Sequence, residues 1–143
     1  MPEFNYAQGR ISDSLQFIAL EIKEFEEDYI DVNWKEYKED RKLQKLMDRT
    51  VENIFTALIE LCGTILTQQG IAVESYAQVL SECSRRLEFS EEEQQVLAKI
   101  ALQRNRLAHR YLNFRWQSIN IFVKNKPLIL RLLSKISELP EIK

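Results

Sequence analysis

Ile11, Leu15, Ile18, Ile22 and Phe25 follow one another at steps of three and four, the repeat of a helix with one apolar face. They predict a helix over residues 10–32 whose other side is densely acidic between positions 21 and 31. A second predicted helix, 37–69, begins polar and becomes apolar nearly all round between positions 54 and 66. Such a helix is buried on more than one side, in the centre of a bundle or at a subunit interface. Gly70 ends it, and a short helix is expected over 75–87. Ser90 followed by Glu93 reads as a capping box, opening a helix that carries Leu97, Ile100, Ala101, Leu107 and Ala108 and is expected to reach at least Tyr111. The last predicted helix covers 116–139, with Pro127 beginning or kinking its second half because it cannot donate in the ladder. With no repeat, linker or low-complexity stretch, the expectation is an all-α, up-and-down bundle of four to five helices forming one domain, 1–143.

Composition supports that reading and narrows the setting. With 45% hydrophobic residues in 143, the chain can bury a sizeable core, and three Gly and three Pro leave little turn chemistry. Cys62 and Cys83 sit in helical patterns without metal-ligand companions and suit a reduced cytoplasm. No signal peptide is evident, and the apolar stretch 54–66, interrupted by Glu60, is too short to span a bilayer, so no membrane role is expected. Charge is uneven: nine Lys or Arg against two acids from position 102 onward give +7, whereas positions 1–101 carry −9. A net charge of −2 excludes a general nucleic-acid coat, but a basic C-terminal third can still hold a phosphate chain. Arg106, Arg110, Arg115, Lys124 and Lys126 are the candidates for that contact, each weighed against an ordinary solvated helix face.

The chain's one histidine, His109, lies among Arg104, Asn105, Arg106, Arg110 and Tyr111. At about 100° per residue, with Arg104 at zero, Leu97 falls near +20°, Ile100 near −40°, Ala108 near +40° and Tyr111 near −20°. Arg104 thus occupies the middle of the stripe that faces the core, and some carboxylate, carbonyl, wet cleft or phosphate must compensate its charge. Glu60, with Glu52 as the alternative, is the expected internal partner. On the same wheel His109 lies about 140° from Arg104, with Asn105 one turn behind it. An imidazole and a guanidinium can together move protons around a phosphodiester: the first serves as acid or base, the second clamps two phosphate oxygens. One histidine per chain does not serve comfortably as both acid and base, which favours two copies facing each other across a two-fold cleft. Trp34, Trp116 and Phe114 are candidates for stacking on bases, though such residues are more often core or interface anchors.

Arg, Asn, three residues, His, one residue, Tyr resembles the motif of the HEPN superfamily in the form carried by HepT-like toxins, the ribonuclease halves of HEPN/MNT toxin–antitoxin pairs. The similarity covers roughly residues 41–139, through the long apolar helix, "SYAQVL", "LQRNRLAHRYL" and "WQSINIFVKNKPLILRLL". It implies a small all-α homodimer that cuts RNA without a metal or other cofactor. Arg104 and His109 become the catalytic pair, and Asn105 a supporting residue. Tyr111 becomes the residue to which a cognate MNT nucleotidyltransferase antitoxin attaches AMP. The chain departs from the family pattern in its acidic first forty residues and at 113–116, where an acidic residue is expected. Two other readings stay open beside the nuclease: a bundle that binds nucleotides or a partner protein without cutting, in which Arg104 satisfies a buried acid, and a structural helical dimer that docks through its acidic first helix.

Overall fold

The computed structural model describes residues 2–140, with side chains from residue 9 onward, so the extreme ends of the expected 1–143 domain lie outside the described residues. Six helices follow one another: α1 (Pro2–Asp28), α2 (Trp34–Glu39), α3 (Arg41–Gln68), α4 (Tyr76–Arg86), α5 (Glu91–Leu107) and α6 (Leu112–Ser137). There is no strand among the described residues. The all-α class is as expected; the count exceeds four to five because the predicted helix 37–69 is two helices. Asn33 and Glu36 form a reciprocal capping box that starts α2, and the Asp40 carboxylate takes the Leu43 amide hydrogen to start α3. Competing caps of this kind end one helix and begin the next within a residue or two.

α3 is the axis of the fold and packs against each of the other five helices. Val51, Ile54, Phe55, Leu58, Leu61, Cys62, Ile65 and Leu66 are buried, and Ala57 and Ile59 extend the buried arc beyond a single stripe. By length and apolarity α3 would pass for a bilayer-spanning helix, which the short stretch 54–66 understates, but here that surface is taken up by neighbouring helices. α1 lies along it through Ile11, Ile18, Ile22 and Phe25, and Phe25 meets Phe122 of α6 edge to face at 5.0 Å. Gly70, at φ +73°, closes α3: the amides of Gly70 and Ile71 return to the carbonyls of Thr67 and Leu66. α6 runs through Pro127, which lies inside the helix and does not start a new one. Cys62 and Cys83 are free thiols buried between α3 and α4, and a hydrogen bond to Cys83 together with burial pushes the Cys62 thiol well up.

One polar cluster is built into this core. Tyr37 of α2 donates its hydroxyl hydrogen to Asp48 of α3 at 2.6 Å, and Arg115 of α6 donates to the other carboxylate oxygen at 2.8 Å. Trp116 stacks on Tyr37 with ring centres 4.9 Å apart, and Trp34 lies 5.8 Å from Trp116. Burial raises the Asp48 carboxyl above its ordinary 3.8, outweighing the pull of Tyr37 and Arg115 in the other direction. The Tyr37 phenol is driven far upward by its own burial and by the Asp48 oxygen that accepts its hydrogen.

Two outcomes are expected. Arg115→Met leaves Asp48 buried without its counter-charge and should cost about 3 kcal/mol or more in urea unfolding at neutral pH; a change under about 1 kcal/mol would show the pair to be dispensable. As pH rises above 3.8, the unfolded chain releases the Asp48 proton before the folded chain does, so this group's contribution to stability declines across that window. Asp48→Asn should remove that declining segment from a plot of unfolding free energy against pH.

Candidate active site

The capped helix α5 presents Arg104 in its last turn, next to the buried residues Leu97, Ile100, Ala101, Gln103 and Leu107. Arg104 is half-buried. Its Nε donates to the Thr56 hydroxyl of α3 at 3.0 Å, and its guanidinium carbon lies 5.5 Å from the centre of the Tyr76 ring of α4. The charge on the apolar stripe is therefore met by a neutral hydroxyl and an aromatic face. Neither Glu60 nor Glu52 forms an ion pair with it, contrary to expectation. Both line, together with Arg104, Asp13 and Arg49, an open groove of about 620 Å³ between α1, α3 and α5. Because that groove is wet, the remaining guanidinium hydrogens are solvated and require no internal carboxylate.

His109 is not on the helix. α5 stops at Leu107: the Ala108 amide bonds to the Asn105 carbonyl at 3.3 Å and the His109 amide to the Arg106 carbonyl at 3.1 Å, a tightening to three-residue spacing after which the ladder ends. Leu107 is buried, whereas Ala108, His109, Arg110 and Tyr111 are all exposed. A further turn would offer the bundle only Ala108 and Tyr111 as apolar side chains, and both are exposed. The expected helix to Tyr111 is thus too long, and the wheel positions of Ala108, His109 and Tyr111 do not apply. Tyr111, expected on the apolar stripe, is 53% exposed as the N-cap of α6. Asn105 is exposed and is not stacked one helical turn behind His109.

In place of the helix, a compact exposed group forms. The Tyr111 amide donates to His109 Nδ1 at 3.2 Å, which puts the proton of the neutral imidazole on Nε2. The His109 ring lies 4.8 Å from Tyr111 and 5.1 Å from Phe114, and Tyr111 and Phe114 are 5.9 Å apart. Arg106 stands over Phe114 at 5.7 Å and Arg110 over Tyr111 at 5.4 Å. Arg106 and Arg110 therefore remain available for phosphate, as does exposed Lys124. Arg115 does not: its guanidinium is 17% exposed and locked to Asp48, and Lys126 is held by Glu26 of α1 at 2.7 Å. Trp34 and Trp116 belong to the Tyr37 cluster, so of the three aromatic candidates Phe114 alone stands beside the histidine.

Among the described residues no hydrogen bond or ring contact joins Arg104 to His109. One turns toward α3 and α4, the other toward α6. Sequence reasoning missed Thr56 and Tyr76 as partners of Arg104, and no local spacing signals them, since Thr56 is 48 positions away. It also missed Asp48 as the anchor of Arg115, 67 positions away.

The molecule is an all-helical bundle with Arg104 in the last turn of one helix and His109 and Tyr111 in the loop that follows it. The family model described as ribonuclease HepT-like matches residues 18–136, and the chain belongs to the HepT-like ribonuclease family. No curated protein matches it. At the level of the family, the activity is that of a ribonuclease and the substrate is RNA.

The hydrogen bond to the Tyr111 amide fixes a tautomer that can be read directly. Nitrogen-15 NMR of the neutral ring should find His109 protonated on Nε2 with an accepting Nδ1. A dominant Nδ1–H form would mean that this contact does not form.

Proposed function

We propose that this chain is a metal-independent endoribonuclease toxin that cuts RNA by attack of the 2′-hydroxyl on the adjacent phosphorus, with Arg104 and His109 as the catalytic residues and Asn105 in support. The new bond is 2′-O to phosphorus and the broken bond is phosphorus to 5′-O, giving a 2′,3′-cyclic phosphate and a free 5′-hydroxyl. Arg104 supplies charge for the phosphorane, and its freedom from any internal carboxylate is the observation that carries the proposal. Arg106 and Arg110 bind flanking phosphates, with Lys124 further out.

His109 is the proton-handling group. Bound to the Tyr111 amide it is a neutral ring offering Nε2–H to a phosphate oxygen; to exchange a proton with RNA, Nδ1 must leave that amide, a motion its exposure permits. Arg104 and His109 of one chain point to different neighbours and each chain has one histidine, so we assign the working site to a homodimer, with one His109 as acid and its mate as base. Exposed Tyr111 is the position we assign to AMP attachment by a cognate MNT-type nucleotidyltransferase antitoxin in the cytoplasm. A bulky anion there would sit against His109 and Arg110 and repel the phosphate chain.

Purified protein should cleave RNA in EDTA, and His109→Ala and Arg104→Ala should each lower the rate by at least about a hundredfold, as loss of a proton-transfer group or of a transition-state charge does. Undiminished cleavage by His109→Ala would overturn the mechanism. Co-expression with the nucleotidyltransferase should add mass in multiples of one AMP at Tyr111 and relieve growth arrest; modification elsewhere, or none, would count against the antitoxin assignment.

A further inference from the structure

Phe114 is 39% exposed in the first turn of α6, with the Arg106 guanidinium over its ring. Its companions, His109 edge-on at 5.1 Å and Tyr111 at 5.9 Å, are exposed too, so three rings stand together on the surface. Arg106 lies over Phe114 and Arg110 over Tyr111. Guanidinium planes and aromatic faces are the surfaces on which unstacked bases settle, and the charges beside them suit the flanking phosphates. The groove on the Arg104 side is different: it mixes Asp13, Glu52 and Glu60 with Arg49 and Arg104 and has no cluster of rings. Trp34 and Trp116 cannot supply the platform, because they are stacked into the Tyr37 cluster.

We propose that Phe114, with Arg106 laid over it and Tyr111 beside it, is a base-stacking subsite that grips one unpaired nucleobase next to the phosphate handled by His109. The inference rests on the nuclease reading for the position of that phosphate, and it adds a specificity-determining residue to it. The base slides between Arg106 and Phe114 or takes the place of the guanidinium, which then turns to a phosphate oxygen. Every base has a π face, so the subsite requires a base to be unstacked without dictating its identity.

Fluorescence anisotropy with a 2′-O-methyl oligoribonucleotide, which lacks the attacking hydroxyl, tests this on uncleaved RNA. Wild type should bind the single strand at least about fivefold more tightly than an abasic oligomer of equal length and charge, in the range set by one stacked base. Phe114→Leu should lose that preference and Phe114→Tyr should keep it. Equal affinity for base-bearing and abasic strands, or unchanged preference in Phe114→Leu, would overturn the subsite. The wild-type comparison needs no variant to fold. Cleavage of unmodified RNA, measured in parallel, separates the two readings. His109-dependent cleavage with Phe114-independent binding removes the subsite alone, whereas Phe114-dependent base binding without His109-dependent cleavage supports the subsite and removes the nuclease.

Discussion

The grip of the Asp48 carboxylate on Tyr37 and Arg115 is the constraint through which the candidate site is held in place. Asp48 is on the central helix, Tyr37 on the short helix before it, and Arg115 in the second turn of α6, so one buried acid ties three helices at a single point. Burying it is costly, as its raised carboxyl records, and the two donors offset part of that cost. Because Arg115 lies four residues past Tyr111, whose carbonyl accepts the Arg115 amide hydrogen, the tie fixes where α6 begins and hence where the 108–111 loop comes to rest. The acidic residue expected near positions 113–116 is absent, and Arg115 makes the opposite choice: a cation there, with its acid supplied by α3.

Most of the fold was legible. α1 shows its buried face in the steps from Ile11 to Phe25, α3 shows its centrality in the apolar run 54–66, and Ser90 and Glu93 announce α5 by the reciprocal bonds they make. These signals are local, and helices are local structures. The break at Asp40 was equally legible in kind, since Asn33 and Glu36 have capping-box spacing and Asp40 is a good cap, but the apolar pattern resumes so soon after it that the two helices read as one.

The site was less legible, for a physical reason. The residues of the motif identify themselves, but nothing in "RNRLAHRYL" marks the end of α5: no glycine or proline stands there, and the helix stops because Leu107 is the last side chain that the bundle can bury. That is a tertiary fact. The partners of Arg104 and Arg115 are tertiary facts too, as both are set by which helix crosses which. Helical-wheel reasoning put Arg104 in the middle of the core-facing stripe, where the side chain is only half-buried at the edge of a groove, and it misplaced His109 and Tyr111, which follow the helix end.

Because the helix ends between the two residues of the motif, the guanidinium and the imidazole answer to different parts of the molecule. Arg104 inherits the stiffness of three packed helices, whereas His109 inherits the compliance of a short solvent-facing connection. Sequence drift in that connection can re-aim the ring while the guanidinium stays put, which gives the scaffold a way to vary one residue of the motif without disturbing its fold.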